Sequence, residues 1–290
     1  MPSTRDIRRR IKSVKNTAQI TKAMQMVAAS KMRKAQQAAL AGRPYARLMN
    51  RVLAEVASET REVTHPFLEK REGARRCVIL VSTDKGLCGG LNSNLMREAA
   101  KFDTGAVFIA AGRKGSQFLV RTKRQMVAEF TFKDAPLFAE ARAISKFAGD
   151  LFLKDEVDRV DIVFTNFVST LVQKPEVRQL LPISEVGPVQ AGMGADKAGS
   201  LPEQTGEFLF EPNQEQVLAA LLPHSLNFQI YQILLEAKAS EHSARMVAMK
   251  NATDNALQFI KDLTLEYNKL RQANITKELL EIASAAMAMG

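Results

Sequence analysis

Both ends of this chain carry a heptad pattern of apolar residues, in which the spacing alternates between four and three positions. In the first segment the pattern runs from Ile7 to Val56, and its only polar side chains are Thr21 and Gln25. A repeat of 3.5 residues sustained over this length makes a helix coil around a partner helix. The pattern therefore predicts one coiled-coil helix over residues 1–57.

The last segment, residues 213–290, carries the same pattern from Leu221 to Leu270. Pro223 lies inside it, and because proline removes a helix hydrogen bond, we expect a kink there or a separation of the first turns. After Leu270 the register breaks, since the next apolar stripe begins at Ile275 and requires a step of five residues. The surroundings of the helix are therefore expected to change at Leu270.

An antiparallel pairing of the two helices explains this break. If Ile7 lies opposite Leu270, then Val56 lies opposite Leu221, where the second pattern begins. The coiled coil then ends where the first helix runs out, and the last twenty residues continue as a single helix. The sequence thus predicts a long antiparallel coiled coil with a protruding tip.

The residues of this tip are apolar around nearly the whole circumference of the helix. They include Leu279, Leu280, Ile282, Ala286 and Met289. A helix that is apolar all round is normally buried. Three interpretations fit: the tip folds back onto the middle of the chain, it frays, or another protein provides an apolar socket.

The middle of the chain, residues 75–212, alternates short apolar runs with amphipathic segments. Strands are predicted at residues 77–82, 106–110, 126–132, 159–166 and 176–183, with helices at 92–102, 114–122 and 136–153. Such alternation is typical of a Rossmann-like α/β domain with a largely parallel sheet. Residues 187–206 are predicted to form a loop before a last short strand at 207–210. The fold class is α/β, with three domains at residues 1–57, 75–212 and 213–290.

The positive charge of the protein is concentrated in its first segment. Residues 1–54 hold thirteen Lys and Arg and one acid, Asp6, whereas the remainder holds 28 basic and 30 acidic residues. A segment of this kind binds phosphates, anionic lipid or an acidic protein surface. The plainer interpretation is a solvated helix face, which a near absence of acids disfavours.

Candidate catalytic groups are few. The one candidate is the glycine-rich loop Asp84–Asn92, which follows the first predicted strand, but its spacing matches neither common nucleotide-binding motif. We interpret it as a tight turn. His242 lies on the apolar seam and is more typical of a packed histidine than of a metal ligand. Neither Cys77 nor Cys88 lies at ligand spacing to a histidine, so the sequence predicts no catalytic residue, no metal site and no cofactor.

The composition limits where such a chain works. No apolar run reaches the eighteen or so residues that a membrane span requires. The first ten residues lack the apolar stretch of a secretion signal. Two cysteines do not make a disulfide scaffold, so a reducing, intracellular location is expected.

Three motifs, in order, resemble the gamma subunit of the F-type ATP synthase of bacteria. They are RDIRRRIKSVKNTAQITKAMQMVAASKMRKAQ, LVSTDKGLCGGLN, and SEHSARMVAMKNATDNA followed by YNKLRQANITKELLEIASAA. They cover both long helices and the first strand, loop and helix of the middle domain. The resemblance implies a non-catalytic rotor shaft that couples ion flow through the membrane rotor ring to ATP synthesis and hydrolysis, and that regulates both.

The resemblance also implies partners and contact residues. The partners would be three alpha and three beta subunits, the epsilon subunit and the c-ring, with the chain peripheral on the cytoplasmic face of the inner membrane. The implied contact residues are Lys22, Met24, Lys31, Arg33, Lys34, Arg271, Gln272, Thr276, Ile282 and Ala286. The first five would meet acidic segments of the beta subunits, and the last two an apolar sleeve at the top of the ring.

Two other classes of function remain as alternatives. A basic coiled-coil protein that binds nucleic acid would explain the charge, although aromatic residues are few and tryptophan is absent. It would show a steep dependence of binding on salt. A nucleotide-binding enzyme would depend on Gly86, Gly89 and Gly90 alone, and nucleotide titration distinguishes it from a shaft.

Overall fold

A computed structural model describes residues 3–59, 65–71, 73–183, 211 and 213–289. The loop predicted at 187–206 and the strand predicted at 207–210 lie outside these residues. The helices are α1 (Thr4–Glu59), α2 (Leu91–Ala99), α3 (Arg113–Arg121), α4 (Phe138–Leu153) and α5 (Gln214–Met289), with a 3₁₀ helix at Pro66–Leu68. The strands are β1 (Arg76–Val81), β2 (Val107–Ala111), β3 (Gln125–Phe130), β4 (Arg159–Phe167) and β5 (Gln173–Leu181).

The two long helices begin at side-chain caps. The backbone N–H of Asp6 donates to the hydroxyl of Ser3 at 3.2 Å, and the N–H of Gln216 donates to the side-chain oxygen of Asn213 at 2.8 Å. Such caps satisfy N–H groups that have no partner within the helix. α5 continues through Pro223, so its first turns are not separated, and the alternative, a kink at Pro223, stays a prediction. α1 likewise continues through Pro44.

The five strands form one sheet in the order β3-β2-β1-β4-β5. The pairs β1–β2, β1–β4 and β2–β3 are parallel, and β4–β5 is antiparallel. The prediction of an α/β fold with a largely parallel sheet is therefore confirmed. The central strands are buried on both faces, which is why they appear in the sequence as continuous apolar runs.

The chain forms two compact units. One comprises residues 1–28 and 246–290, and the other residues 29–245. These boundaries cut across the long helices, and the division into three domains stays a prediction.

In the unit of residues 1–28 and 246–290, the two helical segments run antiparallel. The hydroxyls of Thr21 and Thr253 are hydrogen-bonded at 2.7 Å. The proposed register placed Thr21 opposite Ala256, so it was wrong by about one helical turn. Each hydroxyl also lies within hydrogen-bond distance of a carbonyl of its own helix, that of Ala18 for Thr21 and that of Met249 for Thr253. The bond between the two threonines is therefore an added polar contact across the seam, which apolar periodicity alone does not detect.

Every described seam position from Ile7 onwards is buried or half-buried in α1, as is every seam position from Leu221 to Leu270 in α5. The heptad prediction is therefore confirmed in both helices. Within the same small unit, every residue from 271 to 287 is exposed. The break of register after Leu270 thus coincides with the loss of a partner, as predicted.

In the unit of residues 29–245, α5 packs on two sides. Towards α1, the side-chain amide of Gln232 donates to the carbonyl of Ala39 at 3.2 Å. Towards the sheet, the hydroxyl of Ser240 donates to the carbonyl of Thr165 at 3.0 Å, and that of Ser243 to the carbonyl of Thr170 at 2.8 Å. Because two surfaces cover it, residues 230–243 are all buried or half-buried.

Candidate partner-binding surfaces

The basic side chains of α1 differ in their surroundings. Within residues 29–245, Met32 and Ala35 are buried, and their neighbours Arg33 and Lys34 are exposed, as expected for residues beside a seam. No ion pair involves either of these two among the residues that the structure describes. Lys31, another implied contact, is half-buried, and its ammonium group is bonded to the carboxylate of Asp134.

In the unit of residues 1–28 and 246–290, Lys22 is exposed and Met24 is half-buried. Large apolar side chains are also exposed there, a feature that the sequence interpretation missed: Ile20, Met26, Val27, Leu257, Phe259 and Leu265. All six lie off the heptad seam. An apolar residue off the seam of a two-helix coil has no helix to cover it, so this signal was present in the sequence.

The single-helix segment of α5, residues 271–287, is the second surface. Arg271, Gln272, Thr276 and Ala286 are exposed, and Ile282 is 67% exposed. Met287 reaches 86%. From Leu279 onwards, exposed apolar residues cover most of the circumference of the helix and indicate an interaction site, because monomeric proteins seldom leave such surface in water.

A buried ionic cluster lies on α5 in the unit of residues 29–245. Lys238 is 2% exposed, and its ammonium nitrogen lies 3.0 Å from a carboxylate oxygen of Glu241. The other oxygen of Glu241 accepts from Arg245 at 2.8 Å. Lys238 also lies 4.7 Å from the ring centroid of Phe132 and 3.9 Å from Asp134. Buried charges at these distances compensate one another's loss of hydration.

Arg245 links this cluster to the glycine-rich loop. Its guanidinium donates to the backbone carbonyls of Lys85 and Gly86, each at 3.3 Å. At the other end of the loop, the side-chain amide of Asn92 donates to the hydroxyl of Thr83 at 2.8 Å. Gly89 has a φ of 59°, a left-handed conformation that favours glycine. The loop is thus a tight turn held against α5.

Burial changes the pKa of several groups near the loop and the cluster. It lowers the pKa of His242 to about 4, so the imidazole is neutral at pH 7. It raises the pKa of the Cys88 thiol, which keeps that group protonated, and raises that of Cys77 to about 12. By contrast, the hydrogen bond from Lys31 lowers the pKa of Asp134.

The sequence interpretation considered only His242 in this region. It missed Lys238, Glu241, Arg245 and Asp134. A signal was available, since the stretch KASEHSAR, residues 238–245, places four ionisable side chains on and beside the seam positions Ala239 and His242. Among the described residues no three His, Cys, Asp or Glu side chains converge as metal ligands, and no helix there is long and apolar enough to cross a membrane.

Comparisons with known proteins agree over the whole length. The sequence model of a family described as ATP synthase matches residues 3–289. The ATP synthase gamma chain of Opitutus terrae is 52% identical over 99% of each chain. That of Methylacidiphilum infernorum is 48% identical over all of both chains.

Solved structures show the same fold. A chain in the central stalk and c-ring of the Tetrahymena thermophila mitochondrial ATP synthase is 25% identical, with a TM-score of 0.58 over 80% of this chain and 99% of that one. A chain of the Euglena gracilis mitochondrial ATP synthase in rotational state 3 gives a TM-score of 0.65 at 19% identity, over 99% of this chain and 94% of that one.

Proposed function

Because the chain belongs to the ATP synthase gamma chain family, we propose that it is the central rotor shaft of a bacterial F-type ATP synthase. In this role it couples ion flow through a membrane rotor ring to ATP synthesis and hydrolysis, and it regulates both. The observation that carries the proposal is the single-helix segment of α5, residues 271–287, all of it exposed.

An exposed apolar helix end suits a bearing inside a ring. Apolar contacts are non-directional, so they do not hold one angle of rotation as hydrogen bonds would. Ile282 and Ala286 would lie in an apolar sleeve at the top of the ring, and Arg271, Gln272 and Thr276 would meet polar loops just below it. The segment would thus be covered by other subunits in the assembly.

The basic side chains of α1 would transmit torque. Lys22, Lys31, Arg33 and Lys34, with Met24 among them, would contact acidic segments of the beta subunits. One shaft cannot present the same face to three subunits at once, so each beta subunit meets a different set of contacts. A contact that favours one conformation of a subunit shifts its population, and turning the shaft moves that bias to the next subunit.

The remaining assignments follow from the same family. The partners are three alpha and three beta subunits, the epsilon subunit and the c-ring, and the location is the cytoplasmic face of the inner membrane. The chain is proposed to be non-catalytic, with no cofactor of its own.

The nucleic-acid alternative receives no support from the relatives described above, which are chains of ATP synthases. Exposed cations alone bind phosphates without specificity. A titration of the full chain with duplex DNA at two salt concentrations distinguishes the two functions.

Three variants of the full chain test the proposal when each is combined with the alpha and beta subunits. Ile11→Asp places a carboxylate on the seam and should reduce assembly most. Charge reversal of Arg33 and Lys34 should reduce coupling while the chain stays folded. Removal of residues 283–290 should have the mildest effect, because it deletes no paired seam position.

Assembled complex and its ATP hydrolysis are the measurements. A wild-type chain that forms no complex with the alpha and beta subunits would contradict the proposed function. If the truncation abolished assembly and Ile11→Asp did not, the assigned roles of seam and tip would be wrong.

A further inference from the structure

Lys31, one of the proposed contacts with an acidic subunit, already holds a carboxylate of its own chain. Its ammonium group is bonded to Asp134, which lies between β3 and α4. The side chains of Lys31 and Asp134 are 43% and 50% exposed. A partner's carboxylate therefore reaches Lys31 only in competition with Asp134.

This ion pair is easily exchanged. Pairs between half-exposed groups contribute little to stability, because water and salt screen them. A partner's carboxylate can therefore replace Asp134 at Lys31 at little cost.

A second cation is positioned to receive Asp134 when it leaves. Lys238 lies 3.9 Å from the oxygen of Asp134 that does not bind Lys31. Lys238 is buried, and its nearest carboxylate, Glu241, is shared with Arg245. A small rotation of the Asp134 side chain would strengthen its contact with Lys238 and leave Lys31 open.

The net charge of the ionic residues around Asp134 favours binding of an acidic segment from another chain. Three cations (Lys31, Lys238 and Arg245) face two carboxylates, Asp134 and Glu241. His242, another titratable neighbour of Lys238 and Asp134, is neutral at pH 7. The set therefore carries one excess positive charge, which one carboxylate from another chain would neutralise. The exposed Arg33 and Lys34 extend this attraction along α1.

We propose that Asp134 is an exchangeable internal counter-ion, which occupies Lys31 in the free chain and moves to Lys238 when an acidic segment of a ring subunit takes its place. The inference rests on the proposed function, since it requires that Lys31 contact a ring subunit. Asp134 thus competes with the ring subunit for Lys31 and weakens their contact. Lys238 reduces this competition because it binds Asp134 after Asp134 leaves Lys31.

The test is a double-mutant cycle on the full chain with a reconstituted ring of alpha and beta subunits, using Lys31→Gln, Asp134→Asn and their combination. The affinity of the chain for the ring is measured at two salt concentrations. Asp134→Asn should tighten binding by about two- to fivefold, the range of a half-exposed ion pair. Lys31→Gln should weaken binding, and in its presence Asp134→Asn should have no effect.

The matched control is Glu98→Gln, which removes a carboxylate of α2 that lies 2.7 Å from the ammonium group of Lys101, just after the end of that helix. It should leave the affinity unchanged. A second variant, Lys238→Met, removes the site to which Asp134 moves and should weaken binding. If Asp134→Asn lowers the melting temperature of the free chain, Asp134→Ser, which keeps an acceptor for Lys238, replaces it in the cycle.

The outcomes distinguish a failure of the proposed exchange of Asp134 from a failure of the proposed shaft function. If Lys31→Gln weakens binding and Asp134→Asn does not tighten it, the exchange is wrong and the shaft function stands. If Lys31→Gln leaves the affinity unchanged, Lys31 does not contact the ring, and the proposed exchange is wrong as well. If the wild-type chain does not bind the ring, the proposed function itself is wrong.

Discussion

Residues 230–243 and residues 271–287 belong to one helix, α5, and they have opposite surroundings. Every residue of the first stretch is buried or half-buried, and every residue of the second is exposed. Yet the buried stretch carries Lys238 and Glu241, whereas the exposed stretch carries Leu279, Leu280 and Ile282. Polarity alone does not distinguish the two stretches, since each mixes charged and apolar side chains.

The difference shows that the neighbours of a helix decide its burial. Residues 230–243 pack against both α1 and the sheet, so even charged side chains there are enclosed and must pair. Residues 271–287 have no partner helix within their own unit, so apolar side chains stay in water. Enclosed charge marks internal structure in this chain, and exposed apolar surface marks the sites proposed for other subunits.

The largest effect is expected in the buried stretch. Glu241→Gln should lower the free energy of unfolding by about 3–5 kcal/mol, because Lys238 and Arg245 would lose the carboxylate that they share. Urea unfolding of the full chain, followed by circular dichroism, measures it. The matched control is Glu281→Gln in the exposed stretch, whose carboxylate lies 3.7 Å from Lys277.

The control should change stability by less than about 0.5 kcal/mol. Equal losses of stability in Glu241→Gln and Glu281→Gln would contradict the difference proposed between the buried and the exposed stretch of α5.

A smaller effect, which depends on pH, is expected at His242. Burial lowers the pKa of its imidazole to about 4, from 6.5, so the unfolded chain binds a proton in this interval and the folded chain does not. Stability should therefore fall as the pH falls from 6.5 to 4, by at most about 3.5 kcal/mol at roughly 1.4 kcal/mol per pKa unit. Urea unfolding at several pH values measures this loss.

His242→Gln should reduce the slope between pH 6.5 and 4. If the variant and the wild type lose stability in parallel throughout this interval, His242 is not buried in its neutral form. Asp134, whose pKa is lowered, contributes in the same direction but only near and below pH 3.8, its ordinary value.

The smallest effect is expected in the exposed stretch. Leu279→Ser should change the free energy of unfolding by less than about 0.5 kcal/mol, because the leucine gains no burial on folding of the free chain. The positive control is Leu234→Ser, at a fully buried site, where loss of the side chain costs about 2–5 kcal/mol.

Thermal unfolding of both variants gives the comparison. A large loss for Leu279→Ser would mean that the segment packs against its own chain.

Much of the fold could be predicted from the sequence because its signals are local. The heptad spacing predicts which side of each long helix is buried, and the alternation of apolar runs in residues 75–212 predicts a parallel sheet. The break of register after Leu270 predicts where pairing ends. Each of these follows from the period of a helix or strand and requires no knowledge of distant contacts.

The sequence did not predict the register of the helices or the partners of the charged residues. Thr21 pairs with Thr253, and Lys31 pairs with Asp134, a residue 103 positions away in the chain. The contact residues proposed on α1 and α5 came from family resemblance, and the structure describes their exposure. Their binding stays a prediction.

The sequence by itself determined the helix lengths, the buried seams, the class of the middle domain and the charge of the first helix. Only the tertiary structure decided that Lys238 and Glu241 are buried and that Arg245 binds the loop after β1. It also decided that Lys31 is paired with Asp134. The physical reason is the separation along the chain over which each kind of interaction acts. Periodicity acts between residues three or four apart, whereas an ion pair depends on where two distant segments meet, and the pattern within either segment does not specify that place.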